Sequence, residues 1–516
     1  MKQRRDFFIR WAKFSVATAT LALACTSLSA QQPAATDTNL AESVQQLREQ
    51  VQELRSAVAD MKSEAEQSRA ESAALRKELE ALRASEPSPG APAAASEAAG
   101  QVPPASPPLD QRVGSLEETT QLLQNEIRTQ YQTKIESGSK YRVRLSGLAL
   151  VNLFHNGGLV DNLDFPTYAL PSNPYGSNSS FGATLRQSEI GLEVFGPEFA
   201  GAKSRAEIQM DFGGGFPSAA LDGINTGLVR LRTADMRLDW AHTSVVVGQD
   251  GLFISPQSPT SFASLAVPSM GYSGNLWAWT PQVRIEHKFD LSDDQNVTVQ
   301  GGILDNLTGE PSYGTHRAPQ AGEQSGQPAY AAHVGWSKDR NGHPISFGTS
   351  GYYSRQNWGF GWKVDGWEAG ADWRFPVASK VELSGEFYRG RAVGGLGGGI
   401  GQSILFSGDP TNPASDFRGV NAAGGWSQVK FLANSRLEFN GVFGVDDPYS
   451  SDVHAYASPV GYYPTVLTAN RSAMMNFIYR PRSDLLFSGE YRRLRTSEIG
   501  ALNTADQINL IMGVLF

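Results

Sequence analysis

Hydrophobic and polar positions along the chain follow two different periods. From Leu40 to Leu82 apolar residues recur in a heptad: Leu40, Val44, Leu47, Val51, Leu54, Val58, Met61 and Ala65, then Leu75, Leu79 and Leu82, with Ser68 and Ser72 in two weak core slots. A 3.5-residue repeat keeps one narrow stripe facing a partner helix, so the segment predicts a coiled coil. A solvated single helix is the plainer alternative, and so narrow a seam sustained over so many turns weighs against it. Valine and leucine at the seam leave dimer and trimer open. A spacer rich in proline and alanine follows, and a second seam at Leu109, Val113, Leu116, Leu123 and Ile127, broken by Thr120, predicts a short helix.

Beyond Lys140 the period changes to 2, the signature of strands with one apolar and one polar face. In AKSRAEIQMDF, the residues Ala206, Ile208 and Met210 alternate with Arg205, Glu207, Gln209 and Asp211. NVTVQGGI, SKVELSGEFYRG and SRLEFNGVFGV repeat the pattern. About 16 such strands fit between Lys140 and Phe516, an even number of the kind single-chain bacterial barrels use. The long connections fall on one side of this count and short turns on the other, an asymmetry typical of outer-membrane barrels. The chain closes on DQINLIMGVLF, where Ile508, Leu510, Met512, Val514 and Phe516 alternate with Gln507 and Asn509. A sheet in lipid must close on itself to pair every backbone polar group, so the last strand should pair with the first and turn this comb outward. The comb resembles the C-terminal insertion signal of outer-membrane barrels. Trp277, Trp279, Trp358, Trp362, Trp373 and Phe375 cluster near strand ends, where half-wet rings suit a membrane interface.

Composition and charge narrow this picture. The net charge of −8 comes without a basic stripe, which disfavours a nucleic-acid partner. The N-terminal MKQRR, an apolar FSVATATLALA and the small residues Ser27, Ser29 and Ala30 predict an export signal over residues 1–30. Two rivals share this segment: a lipoprotein box at Cys25, in which Ala22 stands where leucine is preferred, and a twin-arginine signal. Each places the chain in a Gram-negative-type envelope. The expected organisation is therefore a signal peptide (1–30), a periplasmic coiled coil (31–86), a linker (87–108), a short helix (109–137) and an all-β, antiparallel transmembrane barrel (138–516).

The stretch from Arg186 to Gly251, with RQSEIGLEVFGPEFAGAKSRAEIQMDFGGG, LVRLRTADMRLDWAHTSVVVGQDGLFISP and then WTPQVRIEH, resembles the early strands of DcaP-like porins and of the related phosphate-selective porin O and P group. The coiled coil matches the DcaP-like type as well. The resemblance covers most of the barrel's first half, with the terminal strand as a second anchor. It implies a homotrimer of 16-stranded barrels in outer-membrane lipid, taking up small and often negatively charged solutes.

Polar parity would line the lumen. There the candidates for binding anions are Arg142, Arg144, Lys203, Arg205, Arg284 and Lys288, because guanidinium groups pair bidentately with carboxylate and phosphate. Glu189, Glu193, Glu207, Asp211 and Glu286 share that parity, so ordinary wall salt bridges are the competing reading. Parity fails at VRLRTADMRLDW, where Arg230 and Arg232 fall in register with Met236 and Leu238; a bulge or a subunit contact would account for it. Residues 251–276 form a loop long enough to fold back into the barrel, a role assigned by analogy with porins. The histidines are scattered, GLGGGIG falls in an expected surface loop with no helix after it, and no nucleophile elbow is evident, so neither an enzyme nor a cofactor or metal site is expected. A structural tether, touching peptidoglycan through the coiled coil, is the remaining alternative.

Overall fold

The computed structural model describes residues 134–135, 142–215, 227–310, 317–340, 343–456 and 465–516. The expected signal peptide, coiled coil and linker lie outside these residues. So does the predicted second helix, except for Lys134–Ile135, which form a short strand paired with Arg144 and Val143 instead.

Sixteen long strands follow in chain order: β1 (Arg142–Gly157), β2 (Ser179–Thr184, resuming as Glu189–Phe199), β3 (Ala202–Asp211), β4 (Arg230–Asp239), β5 (Thr243–Gly251), β6 (Trp279–Ser292), β7 (Gln295–Leu304) and β8 (Ala329–Arg340). The second half comprises β9 (His343–Asn357), β10 (Lys363–Ala378), β11 (Val381–Arg391), β12 (Asn421–Asn434), β13 (Leu437–Pro448), β14 (Leu467–Arg482), β15 (Leu485–Glu498) and β16 (Ala501–Leu515). Each pairs antiparallel with the next, and β16 returns to β1 with Leu148 opposite Leu515 and Gly157 opposite Asp506. The barrel is closed and leaves no free edge, the condition a sheet must meet in lipid.

Alternation along each strand decides which face is which. In β1, Leu148, Leu150, Asn152, Phe154 and Asn156 are buried, while Val151 and Leu153 are exposed. The wall is thus inside out relative to a soluble protein: its buried parity carries Asn, Gln, Glu and Arg, and its exposed parity carries Leu, Val, Phe and Met. Ile508, Leu510, Met512, Val514 and Phe516 all stand on the exposed parity at the seam. Phe516 exchanges two backbone hydrogen bonds with Gly147, and its ring occupies the space a side chain at Gly147 would need.

On one rim the turns are tight, the longest spanning 240–242; on the other lie the connections 158–178, 252–278, 305–328, 392–420 and 449–466. The two-residue turn at 499–500 also falls on the long-loop rim, so loop length is sorted less strictly than the sequence suggested.

Several of the long connections turn inward. GLGGGIG, expected at the surface, is buried: Leu396, Gly398, Gly399 and Ile400, with Gly394 just before them, form tight turns packed against Leu252, Phe253, Leu276 and Tyr388. Glycines without side chains let this segment press against the wall, as where Gly398 meets the Tyr388 hydroxyl. Trp358 and Trp362 are corrected in the same way. They are buried with Ala321, Val364, Ile404 and Phe406 beneath the loops and do not stand at a lipid interface.

Candidate functional site

The lumen is organised by the loop 252–278, which leaves β5 and crosses the interior to the opposite wall. The Ser255 hydroxyl donates to Glu386 at 2.5 Å, and the Gln257 backbone N–H donates to the same carboxylate at 2.7 Å. Further along, the Thr260 N–H donates to Gln428, and Ser261 bonds Glu490. Leu265 donates its N–H to Gln187 at 2.7 Å, and Gln187 returns a bond to the Ala263 carbonyl at 2.9 Å. Gln187 can do this because β2 is interrupted at 185–188, a kink that leaves Arg186 and Gln187 both buried although they are consecutive.

The loop presses closest at Gly274, which adopts φ 99°; a Cβ there would lie 2.3 Å from the Gly425 carbonyl oxygen. Gly444 faces the Ser273 carbonyl, also 2.3 Å from where its Cβ would lie. Gly444→Val should therefore lift the loop off the wall while leaving the barrel closed. We expect unchanged heat-modifiable migration on gels and faster proteolysis within 255–273; a loop equally resistant in the variant would argue against this packing.

At its distal end the loop half-buries Tyr272, whose ring meets Trp277 edge-on. Burial, and then the Asp161 carboxylate, push the Tyr272 phenol up to about 12. Asp161, in the connection 158–178, accepts hydrogen bonds from the Thr167 hydroxyl and the Tyr168 N–H.

Facing the loop, β1–β6 carry a continuous ladder of opposite charges. Arg144 pairs with Glu193 through Nε at 2.8 Å, and Arg205 approaches the other oxygen of that carboxylate at 3.5 Å. From Arg205 the ladder passes to Asp239 (3.7 Å), Arg237 (2.6 Å), Glu286 (2.9 Å), Arg284 (2.8 Å) and Asp250 (2.7 Å). Glu207 and Asp235 stand opposite each other beside it. Of the six basic residues expected from the sequence, the fold brings Arg144, Arg205 and Arg284 into this one network. Arg142 lies over the Phe195 ring at 5.6 Å. Lys203 stands across from Asp239 near the short-turn rim, and Lys288 pairs with Asp290 near the same rim. The six do not converge on one constriction.

Sequence reasoning passed over Arg237, which links two carboxylates, and Arg492, which is buried beneath the loop against Ser264, Glu490 and the Pro166 carbonyl. It could not resolve Arg230 and Arg232. A β-bulge between Gln209 and Met210 sets Met210 opposite Leu231 and Gln209 opposite Thr233, leaving Arg232 as the extra residue. Both arginines then reach inward carboxylates: Arg230 bonds Asp211 at 2.6 Å and Arg232 pairs with Glu189. The parity break in the sequence was the signal of that bulge.

A closed barrel of 16 antiparallel strands, with a polar interior and a loop folded into it, is the architecture of porins. The structure is similar to that of the outer membrane channel DcaP of Acinetobacter baumannii, with a TM-score of 0.54 and 15% identity over 74% of this chain and 99% of that one. An anion-selective porin from Comamonas acidovorans matches at TM-score 0.46 and 11% identity, over 73% of this chain and 100% of that one. OprB of Pseudomonas putida matches at 0.43 and 12%, over 73% and 94%. No family model and no curated protein matches the chain. At these identities the likeness establishes the fold.

Proposed function

We propose that this chain is a porin of the outer membrane of a Gram-negative-type bacterium, a passive channel for small hydrophilic solutes. The observation that carries the reading is the lumen: a polar, charge-laddered wall facing an inward loop, enclosed by a closed and externally apolar barrel. The short turns face the periplasm in this reading, and the N-terminal region projects there. Assembly as a homotrimer and kinship with the phosphate-selective porin O and P group belong to the same proposal.

The solutes we propose are small organic or phosphate-like anions. Glu193 is recessed, its side chain 10% exposed, whereas the two arginines that share it are 48% and 39% exposed. The ladder balances four arginines against four carboxylates, with Asp239 3.7 Å from Arg205, but the recessed Glu193 leaves the guanidiniums of Arg144 and Arg205 at the water-facing edge, and low-dielectric walls focus their field across a narrow lumen. Arg284 contributes less, because Asp250 and Glu286 already neutralise it. Glu207 and Asp235 weigh toward cations.

Reversal potential under a salt gradient in a planar bilayer reads the balance. Anion preference is expected for the wild type and a clear fall for Arg144→Gln with Arg205→Gln, with little change for Arg284→Gln. Cation preference in the wild type would refute the anion reading, and absence of any conductance would favour the structural tether. Native mass measurement in mild detergent should find three copies; monomers alone would remove the trimer.

A further inference from the structure

On the outer face of the barrel, at the long-loop ends of β14 and β15, three arginines stand where the alternation calls for apolar residues. Arg471, Arg493 and Arg495 are exposed and share the outward parity of Met475, Phe477 and Phe487. Arg471 lies directly opposite Arg495 in the antiparallel pairing, and Arg493 follows two residues along the strand. Like charges directly across a pair of strands repel and destabilise the sheet unless something lies between them.

The other exterior arginines near this rim are satisfied within the chain. Arg355 bonds Asp365 at 3.0 Å, and Arg389 lies 4.2 Å over the Tyr449 ring and 5.4 Å over Trp367. Among the described residues neither Arg471 nor Arg495 has an ion pair or a side-chain hydrogen bond. In sequence, the stretch 457–464 that precedes β14 contains no carboxylate. Arg493 approaches Asp506 at 3.8 Å, but Asp506 also accepts the Tyr491 hydroxyl at 2.7 Å. Asp447, outward on β13, makes no ion pair among the described residues.

Height places these groups at a membrane surface. From Phe516 to Ile508 the outward apolar residues cover roughly 27 Å along a strand rising about 3.4 Å per residue. Tilted by about 40°, that is roughly 20 Å of the approximately 25 Å apolar band of such barrels. Arg493 pairs with Asp506 and Arg495 with Thr504, immediately beyond Ile508. Charge on a lipid-facing wall costs most at mid-depth and little at the headgroups, so this is the level at which arginines are tolerated and at which lipid phosphates lie.

We propose that Arg471, Arg493 and Arg495 form a binding site for the phosphate headgroup of an outer-leaflet lipid, whose acyl chains lie on the apolar residues beneath. The phosphate oxygens accept charge-assisted bonds from the guanidiniums and relieve the repulsion between Arg471 and Arg495. Met475, Ile508 and Leu510 continue the same face toward the bilayer centre and supply the surface for the chains. The site is external to the lumen and rests on the outer-membrane reading only for its orientation.

The test uses the full chain in neutral detergent, with phosphorylated lipid A and its dephosphorylated counterpart as probes, and native mass spectrometry as the readout. The wild type should retain the phosphorylated lipid roughly tenfold better than the other, a discrimination of the size charge-assisted bonds provide. Arg471→Gln with Arg495→Gln should lose it while keeping heat-modifiable migration. Should that variant fail to close, Thr504→Glu, which sets a carboxylate opposite Arg495, should abolish the discrimination in a folded barrel. Equal retention of both lipids by the wild type, or full displacement of the lipid by millimolar inorganic phosphate, would overturn the proposal. Conductance recorded on the same samples separates the two readings. A conducting barrel without lipid discrimination sinks this site alone, and a discriminating barrel without conductance sinks the porin reading alone.

Discussion

Replacing Met512 and Val514 by aspartate, or removing Phe516, is expected to abolish accumulation of the closed barrel in the membrane. Both side chains stand on the outward face of β16, the strand that closes the seam with β1. A basic residue on the lipid face at mid-depth costs roughly 2–4 kcal/mol and an acidic one less, but here two carboxylates would share one strand at the last pairing to form. Deleting Phe516 removes two backbone bonds with Gly147, worth about 1 kcal/mol each, and exposes the start of the seam. Gel migration of unheated membrane extracts measures the outcome. Normal levels of closed barrel from both variants would show that the outward comb is dispensable.

The second large effect is expected from replacing Ser255–Ser273 by a short glycine-serine connection. Single-channel conductance should rise several-fold and charge preference should fall, because this segment crosses the lumen opposite the Arg144–Asp250 ladder. Its anchors are spread over four sites on the wall, Glu386, Gln428, Glu490 and Gln187, so the native loop is held against thermal motion at many points. Glu386→Ala is the milder form. It leaves the Gln257 N–H without its acceptor, at about 1–3 kcal/mol for a buried donor, while the Ser255 hydroxyl keeps the Leu276 carbonyl at 2.8 Å, and it should show as a noisier open channel without a wider one. Conductance unchanged by the deletion would mean that solutes do not pass beside this loop.

The strands, the sorting of the long connections to one rim and the outward comb from Ile508 to Phe516 were legible because alternation is local. Each strand reports its own two faces at a period of 2, whatever its neighbours are. The charge ladder was legible only as a list of basic and acidic positions of the same parity. Which arginine meets which carboxylate depends on register, and the pairing of Glu193 with both Arg144 and Arg205 joins three strands. Arg232 became intelligible only through a bulge, and Gln187 only through the kink that turns it inward beside Arg186.

The interior misled sequence reasoning most. GLGGGIG and the pair Trp358 and Trp362 have the composition of a surface turn and of interface anchors, yet the barrel draws both beneath its loops. Composition specifies what a segment can tolerate, and here the closed wall supplied a second buried environment that no local pattern records. The sequence alone determined that the chain closes a barrel with an apolar outside, since lipid punishes any other face at every second residue. The tertiary structure decided what the lumen presents, because contacts such as Ser255 with Glu386 span 131 positions of the chain and exist only once the wall has closed.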